Sequence, residues 1–134
     1  MRLQKNTSLA LYSVIEFAAD PARHVSAAEI AAKYGVSAHH LAKVLSDLTR
    51  AGIVESVRGA GGGYRFVANP KRITLLEVIS LFERIGPARV GPGARNAVER
   101  ALEQVLAEID ETAKATFGSL TVNTMLKLVG RRAL

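Results

Sequence analysis

The chain lacks cysteine altogether among its 134 residues. It therefore has no thiolate to hold an iron–sulfur cluster and none to form a disulfide, which excludes cluster sensing and thiol redox sensing. Three histidines are present, and His39 and His40 are adjacent, so their side chains point in different directions on a helix. No carboxylates cluster with them in the sequence. We expect no metal site and no cofactor.

Long apolar runs and catalytic motifs are also missing. No stretch is apolar enough to cross a membrane, and the first five residues are followed by no signal-peptide core, so we expect a cytoplasmic protein without membrane contact. There is no Gly-x-Ser-x-Gly motif and no metal-ligand spacing. We therefore expect that the protein is not an enzyme.

Basic residues are abundant and unevenly distributed. The net charge is +6, and the isoelectric point is about 10.1. Residues 1–72 carry ten lysines and arginines against five acidic residues, whereas residues 73–134 carry eight against seven. A locally basic surface attracts polyanions, so the first half of the chain is the candidate for binding nucleic acid.

Capping residues predict two short helices in tandem. Ser26 and Glu29 form a capping box at the start of the first helix, and Gly35 is suited to end it. Ser37 repeats the start signal, and the second helix should run from about Ala38 to Ala51. The connection of about three residues is typical of a helix-turn-helix corner.

The second helix has an apolar and a cationic face. Four residues at helical spacing should face the core: Leu41, Val44, Leu45 and Leu48. The opposite face can donate hydrogen bonds to phosphates or base edges, and it comprises His39, Lys43, Ser46 and Arg50, with His40 and Asp47 at its edges. In an isolated helix, such a face would more often be merely solvated. Its neighbours along the chain favour the DNA interpretation.

A glycine turn flanked by two arginines follows this helix. After the hydrophobic segment Ile53–Val57 the sequence reads Arg58-Gly59-Ala60-Gly61-Gly62-Gly63-Tyr64-Arg65-Phe66. Glycines supply positive φ in a tight hairpin and allow close approach to a backbone. A nucleotide-binding loop is the rival interpretation, but no Lys-Ser or Lys-Thr follows and no helix begins there. The order of elements predicts a winged helix-turn-helix, with Arg58 and Arg65 reaching the minor groove or phosphates.

Two scaffold helices flank these elements. The first should run from about Thr7 to Ala19, with a core face made of Leu11, Val14, Ile15 and Ala18. The other begins with the capping box of Thr74 and Glu77 and should extend to about Ile85.

Several segments together resemble a known family over about residues 1–85. They are Arg2-Leu3, Glu29-Ile30-Ala31, Leu48-x-x-Ala51-Gly52, Val57-Arg58-Gly59-x-Gly61-Gly62-Gly63-Tyr64 and Ile73-Thr74-Leu75. They are similar to the Rrf-two family of bacterial regulators, the IscR/NsrR/CymR group. The resemblance implies a dimeric transcription factor, usually a repressor, with a long helix that pairs across the two-fold axis. It also implies minor-groove contact by Arg58 and major-groove reading around His39 to Lys43.

The chain departs from this family at one place. Many members hold an iron–sulfur cluster through three cysteines in the loop after the helix that begins near Thr74. The corresponding segment here, residues 84–93, contains no cysteine. A cluster is therefore not expected, and the effector, a small molecule or a partner protein if one exists, is left open.

A long amphipathic helix is predicted from Ala94 to about Thr116. Its apolar stripe comprises Val98, Ala101, Leu102, Val105, Leu106, Ile109 and Ala113. A second copy of the chain is the economical cover for this stripe, and packing against its own domain is the alternative. A final short helix should begin near Thr121, and residues 130–132 should fray.

The sequence thus predicts a mainly α fold with a small β-hairpin. Residues 1–85 form the DNA-binding domain, 86–93 a linker loop, and 94–134 the dimerisation and C-terminal helices. The expected function is a homodimeric, sequence-specific regulator of transcription, a repressor on a palindromic operator. The alternative is a winged helix that binds another protein. The predicted DNA-binding residues are Ser37, His39, His40, Lys43, Arg50, Arg58, Gly59, Gly61, Gly62, Gly63 and Arg65, and the predicted dimerisation residues are Val98, Ala101, Leu102, Val105 and Ile109.

Overall fold

A computed structural model describes residues 1–85 and 96–132. These residues form six helices and a two-stranded antiparallel sheet: α1 (Lys5–Ala19), α2 (Ala27–Tyr34), α3 (Ala38–Arg50), β1 (Val54–Val57), β2 (Gly63–Phe66), α4 (Leu75–Ile79), α5 (Ala97–Ser119) and α6 (Val122–Arg132). The fold is the predicted one, mainly helical with one hairpin. The predicted linker 86–93 and helix start at Ala94 lie outside the described residues.

Local side-chain caps start five of the helices. The side chains of Ser26, Ser37, Thr74, Asn96 and Thr121 each accept a hydrogen bond from the backbone N–H three residues further along. At the end of α2, Gly35 takes the left-handed conformation with φ 66°. The first three caps confirm the sequence prediction, because capping depends on residues close together in the chain.

The face that α1 turns to the core differs from the predicted one. Val14 and Ala18 are buried as predicted, but Leu11 and Ile15 are only half-buried. Phe17 is fully buried instead. Ser13 can be buried as well, because its hydroxyl donates to the Leu9 carbonyl at 2.7 Å.

Helix α4 is shorter than predicted, ending at Ile79 rather than near Ile85. After it the chain turns, which brings the Glu83 carboxylate to the start of α1. Glu83 Oε2 accepts from the backbone N–H of Gln4 at 2.8 Å and from the Thr7 hydroxyl at 2.5 Å. Because Gln4 supplies no cap of its own, this distant carboxylate satisfies donors that the first turn of α1 leaves unpaired.

The C-terminal helices join the fold at the joint between α5 and α6. The backbone N–H of Leu75 donates to the Leu120 carbonyl at 2.8 Å, and that of Val122 donates to the Ile73 carbonyl at 3.0 Å. Val122 is fully buried in the core, whereas no residue of α5 is buried. Helix α6 continues to Arg132, past the predicted fraying point at Gly130.

Candidate nucleic-acid interface

Helix α3 lies with one side in the core and the other in solvent. Leu41, Leu45 and Leu48 are fully buried, as the sequence predicted. His39, Lys43, Ser46 and Arg50 are exposed on the opposite side. The helix therefore presents a polar, basic surface of the kind that enters a major groove.

The predicted binding residues of α3 are not equally available. The hydroxyl of Ser37 accepts from the His40 N–H at 3.1 Å, so it is engaged as the helix cap. His40 is half-buried, and its Nε2 is enclosed without a hydrogen-bond partner among the described residues. Arg50 pairs with Asp47 one turn earlier. His39 and Lys43 are thus the exposed ionisable side chains of α3 that make no ion pair within residues 1–85 and 96–132.

The hairpin after α3 forms the predicted wing, which we define as residues 54–66. Its antiparallel strands pair Val54 with Phe66 and Val57 with Gly63. The guanidinium of Arg65 pairs with the Glu55 carboxylate across the strands at 2.5 Å. Arg58, at the edge of the turn, is exposed and has no ion pair in the described part of the chain. Of the two wing arginines, Arg58 is therefore the one whose charge is not already paired within the described residues.

Two of the wing glycines are required by close backbone contacts. A Cβ on Gly62 would lie 2.3 Å from the carbonyl oxygen of Val57, and a Cβ on Gly63 would lie 2.6 Å from that of Val25. Gly63 also has φ 154°, in the range that side chains rarely adopt. The glycine run therefore shapes the turn as predicted, and it also lets the connector before α2 approach the wing.

That connector adds an isolated antiparallel β-bridge to β2, which the sequence analysis missed. The backbone of Val25 donates to the Tyr64 carbonyl at 2.9 Å and accepts from the Tyr64 N–H at 2.8 Å. Next to it, Nδ1 of His24 lies 3.3 Å from the Gly61 carbonyl oxygen. A single valine carries no strand periodicity, so no local signal in the sequence indicates this pairing.

A polar cluster ties α1 to α2 behind the interface. Glu16 accepts from the Tyr34 hydroxyl at 2.6 Å and pairs with Lys33 at 2.5 Å. Partial burial opposes the ionisation of Glu16, but the bonds from Lys33 and Tyr34 outweigh it and lower its pKa. Burial raises the pKa of Tyr34, and the negative charge of Glu16 raises it further. The tyrosine therefore stays protonated as a donor at neutral pH.

A second candidate surface is the apolar stripe of α5. The exposed fraction is 77% for Val98, 58% for Leu102, 50% for Val105 and 57% for Ile109, and Ala101 is exposed too. A groove of about 580 Å³ runs beside this stripe, between Met1 and the second half of α5. Within the described residues, the chain leaves this stripe uncovered.

Comparison with known proteins identifies the family. The model of the Rrf2 family, described as an iron-dependent transcriptional regulator, matches residues 3–128. The chain belongs to this family of winged-helix, DNA-binding transcription regulators. It is 52% identical over 130 residues to BadM of Rhodopseudomonas palustris, an HTH-type transcriptional regulator by its name, covering 96% of this chain and 83% of BadM.

Solved structures agree on the architecture. The fold is similar to that of CymR, the global cysteine regulator of B. subtilis, with a TM-score of 0.82, 27% identity and coverage of 96% of this chain and 98% of CymR. T. potens IscR is similar in fold, with a TM-score of 0.74, 23% identity and coverage of 100% and 92%. The fold shared with these proteins therefore extends over nearly the whole chain.

The iron in the family description does not fit the residues of this chain. Cluster ligands in proteins are chiefly cysteine thiolates, and the sequence has no cysteine. The described residues also contain no group of three or more histidines and carboxylates placed to hold a metal ion. No step involving iron is therefore assigned to this protein. No helix in the described ranges has the length and apolar character needed to span a bilayer.

Proposed function

We propose that the protein is a homodimeric repressor that binds a palindromic DNA operator. The observation that carries this proposal is the combination of two uncovered surfaces on one chain. One is basic and formed by α3 and the wing, and the other is the apolar stripe of α5. A basic surface supports binding to a polyanion, and an exposed apolar stripe supports association with another protein surface.

The basic surface supplies two kinds of DNA contact. His39 and Lys43 on α3 are exposed on the side away from the core, where they can meet base edges in a major groove. Arg58 projects from a turn that contains four glycines and one alanine, which suits it to an adjacent minor groove or to phosphates. The same surface includes the tip glycines Gly59 and Gly61, whose backbone can come close to the duplex.

The stripe of α5 supports a second copy of the chain as its occupant. A two-fold dimer uses the same surface from both chains, so one apolar stripe is enough to make a self-complementary interface. As dimerisation residues we propose the five named from the sequence: Val98, Ala101, Leu102, Val105 and Ile109. A dimer would place two copies of α3 about one helical turn of DNA, or a multiple of it, apart on a palindrome. Repression then requires no more than occupancy of that site.

Selection of bound duplexes from random DNA tests this function directly. We expect an enriched inverted repeat, two protomers per duplex in sedimentation, and an affinity that falls steeply with salt. A search for that repeat near the protein's own coding region would then locate candidate operators. The absence of duplex binding even at low salt would contradict the proposal and favour a winged helix that binds another protein.

Lys43→Ala separates base contact from phosphate contact. A phosphate contact predicts uniformly weaker binding and a salt slope lower by about one, whereas a base contact predicts relaxed preference at one position of the repeat. Ser46→Ala, on the same exposed face, leaves the charge unchanged and should therefore leave the salt slope unchanged. Binding indistinguishable from wild type in affinity, preference and salt slope would remove Lys43 from the interface.

A further inference from the structure

We infer that His24 is a positioning residue of the wing, holding its tip where Arg58 can reach the duplex. This inference rests on the proposed DNA contact of Arg58 and deepens it. Two neighbouring observations carry it: the hydrogen bond between His24 and Gly61 and the backbone pairing of Val25 with Tyr64. The first acts on the tip of the wing, and the second acts on the strand that leaves it.

The geometry assigns the direction of the bond. His24 lies in the connector between α1 and α2, and its Nδ1 is 3.3 Å from the carbonyl oxygen of Gly61. A carbonyl oxygen only accepts, so Nδ1 must carry the proton, and it does so in both the Nδ1-protonated neutral ring and the doubly protonated ring. The bond joins groups 37 residues apart in sequence. It therefore acts as a tertiary brace on the turn.

The tip of the wing is a segment that needs such a brace. Within the turn, the backbone N–H of Gly62 donates to the Gly59 carbonyl at 2.9 Å. Glycines lose more conformational freedom on ordering than other residues and contribute no side-chain packing. The pairing of Val25 with Tyr64 holds the start of β2 but not the tip. A donor from the connector orders the tip before DNA arrives, so less ordering cost falls on binding.

Arg58 is the residue through which this brace acts. It lies three positions before Gly61 in the same turn and is exposed. If the tip moves, the guanidinium samples many positions, and its contact with the duplex weakens. His24 should thus affect DNA affinity only while Arg58 is present, which distinguishes positioning from a direct contact of His24 with phosphate.

A double-mutant cycle tests the inference. Duplex affinity is measured for His24→Leu and His24→Asn, each with Arg58 intact and in the Arg58→Ala background. Leucine removes the donor, whereas the asparagine amide can occupy the place of Nδ1 and donate. We expect about fivefold weaker binding for His24→Leu, the size of one lost hydrogen bond. His24→Asn should stay within about twofold of wild type, and His24→Leu should change binding by less than about twofold when Arg58 is absent.

A second variant and a spectroscopic readout protect the test from misfolding. His24→Gln places its amide near the Nε2 position, so it should behave like His24→Leu. In protein without DNA, amide order parameters of Gly59 and Gly61 should fall in both variants and recover in His24→Asn.

The outcomes separate the inference from the function on which it rests. Wild-type affinity in His24→Leu, with Arg58→Ala still weakened, overturns the role of His24 and leaves the proposed function standing. A loss that persists in the Arg58→Ala background, with a lower salt slope, identifies a direct phosphate contact and also overturns the positioning role. No effect of Arg58→Ala removes the wing contact itself, and the inference falls with it.

Discussion

Helices α3 and α5 carry similar apolar stripes, but the stripe of α3 is buried and the stripe of α5 is exposed. In α3, Leu41, Leu45 and Leu48 are fully buried by the chain's own helices and hairpin. In α5, no residue is buried, although the helix is 23 residues long against 13 for α3. The hydrophobic effect favours burial of both stripes, but among the described residues only the stripe of α3 is covered. The apolar periodicity of a helix therefore predicts that one face will be covered, but it does not predict which part of the chain or which other molecule covers it.

The two helices also differ in how their surroundings are joined by long-range hydrogen bonds. Around α3, the chain is tied together by long-range bonds such as Glu16 with Tyr34 and Val25 with Tyr64. Helix α5 is tied at its C-terminal end, where the Leu120 carbonyl accepts from the Leu75 N–H. Because its C-terminal end is anchored, α5 is held at a defined angle to the rest of the chain. This arrangement is compatible with the proposed contact between its exposed stripe and a second copy.

The largest effect in this comparison should come from truncating a buried side chain of α3. We expect Leu45→Ala to lower the free energy of unfolding by about 2–5 kcal/mol, through lost burial and the cavity left behind. The same truncation in the α5 stripe, Leu102→Ala, is the control. Its effect should depend on protein concentration, because it acts through association. Urea unfolding at several protein concentrations measures the stability of both variants. Equal losses of stability that do not depend on protein concentration would contradict the distinction between the two helices.

A charge in the α5 stripe should break association without unfolding the chain. We expect Val105→Glu to raise the dimer dissociation constant at least about 100-fold, because an unpaired buried charge costs several kcal/mol. Ile109→Glu should behave alike. Gln104→Glu adds the same charge to the same helix outside the stripe, and we expect it to remain a dimer. Sedimentation at micromolar concentration decides, and a wild-type protein that is already monomeric there contradicts the interface.

The two wing arginines allow a sharper comparison within the basic surface. Arg58→Ala should weaken duplex binding by about 1–3 kcal/mol, as expected for an arginine that contacts DNA. Arg65→Ala should cost less, because Arg65 already pairs with Glu55. Gel-shift titration at fixed salt measures both variants. An unchanged affinity for Arg58→Ala, or a larger loss for Arg65→Ala, would reverse the assignment of the two residues.

The smallest effect should come from the polar tie between α1 and α2. Because the folded-state pKa of Glu16 is lowered from its usual 4.5, ionised Glu16 stabilises the fold above that pH, and the contribution is lost as the pH falls through the folded value. Glu16→Gln should lower stability at pH 7 by no more than about 1 kcal/mol, since Lys33 is largely exposed. The difference from wild type should shrink below pH 4.5 in thermal melts, and a constant difference would contradict the pKa argument.

The features that depend on neighbouring residues could be predicted from the sequence. The caps at Ser26, Ser37 and Thr74, the buried face of α3 and the glycine turn all follow from spacings of a few residues, which an isolated segment already contains. The same local information indicated a basic interface around His39, Lys43 and Arg58. The absence of cysteine, and with it of cluster ligands, is a property of composition and needs no structure at all.

The features that join distant parts of the chain are visible only once its helices and strands have packed together. Glu83 caps α1 from 79 residues away, Val122 enters the core, and Val25 extends the wing sheet. The structure also shows which basic side chains are already paired, because Arg50 forms an ion pair with Asp47 and Arg65 forms one with Glu55. Each of these contacts depends on where helices and strands pack against one another. A hydrophobic or polar sequence pattern predicts that a residue will be buried or hydrogen-bonded, whereas packing in three dimensions determines which residue it contacts.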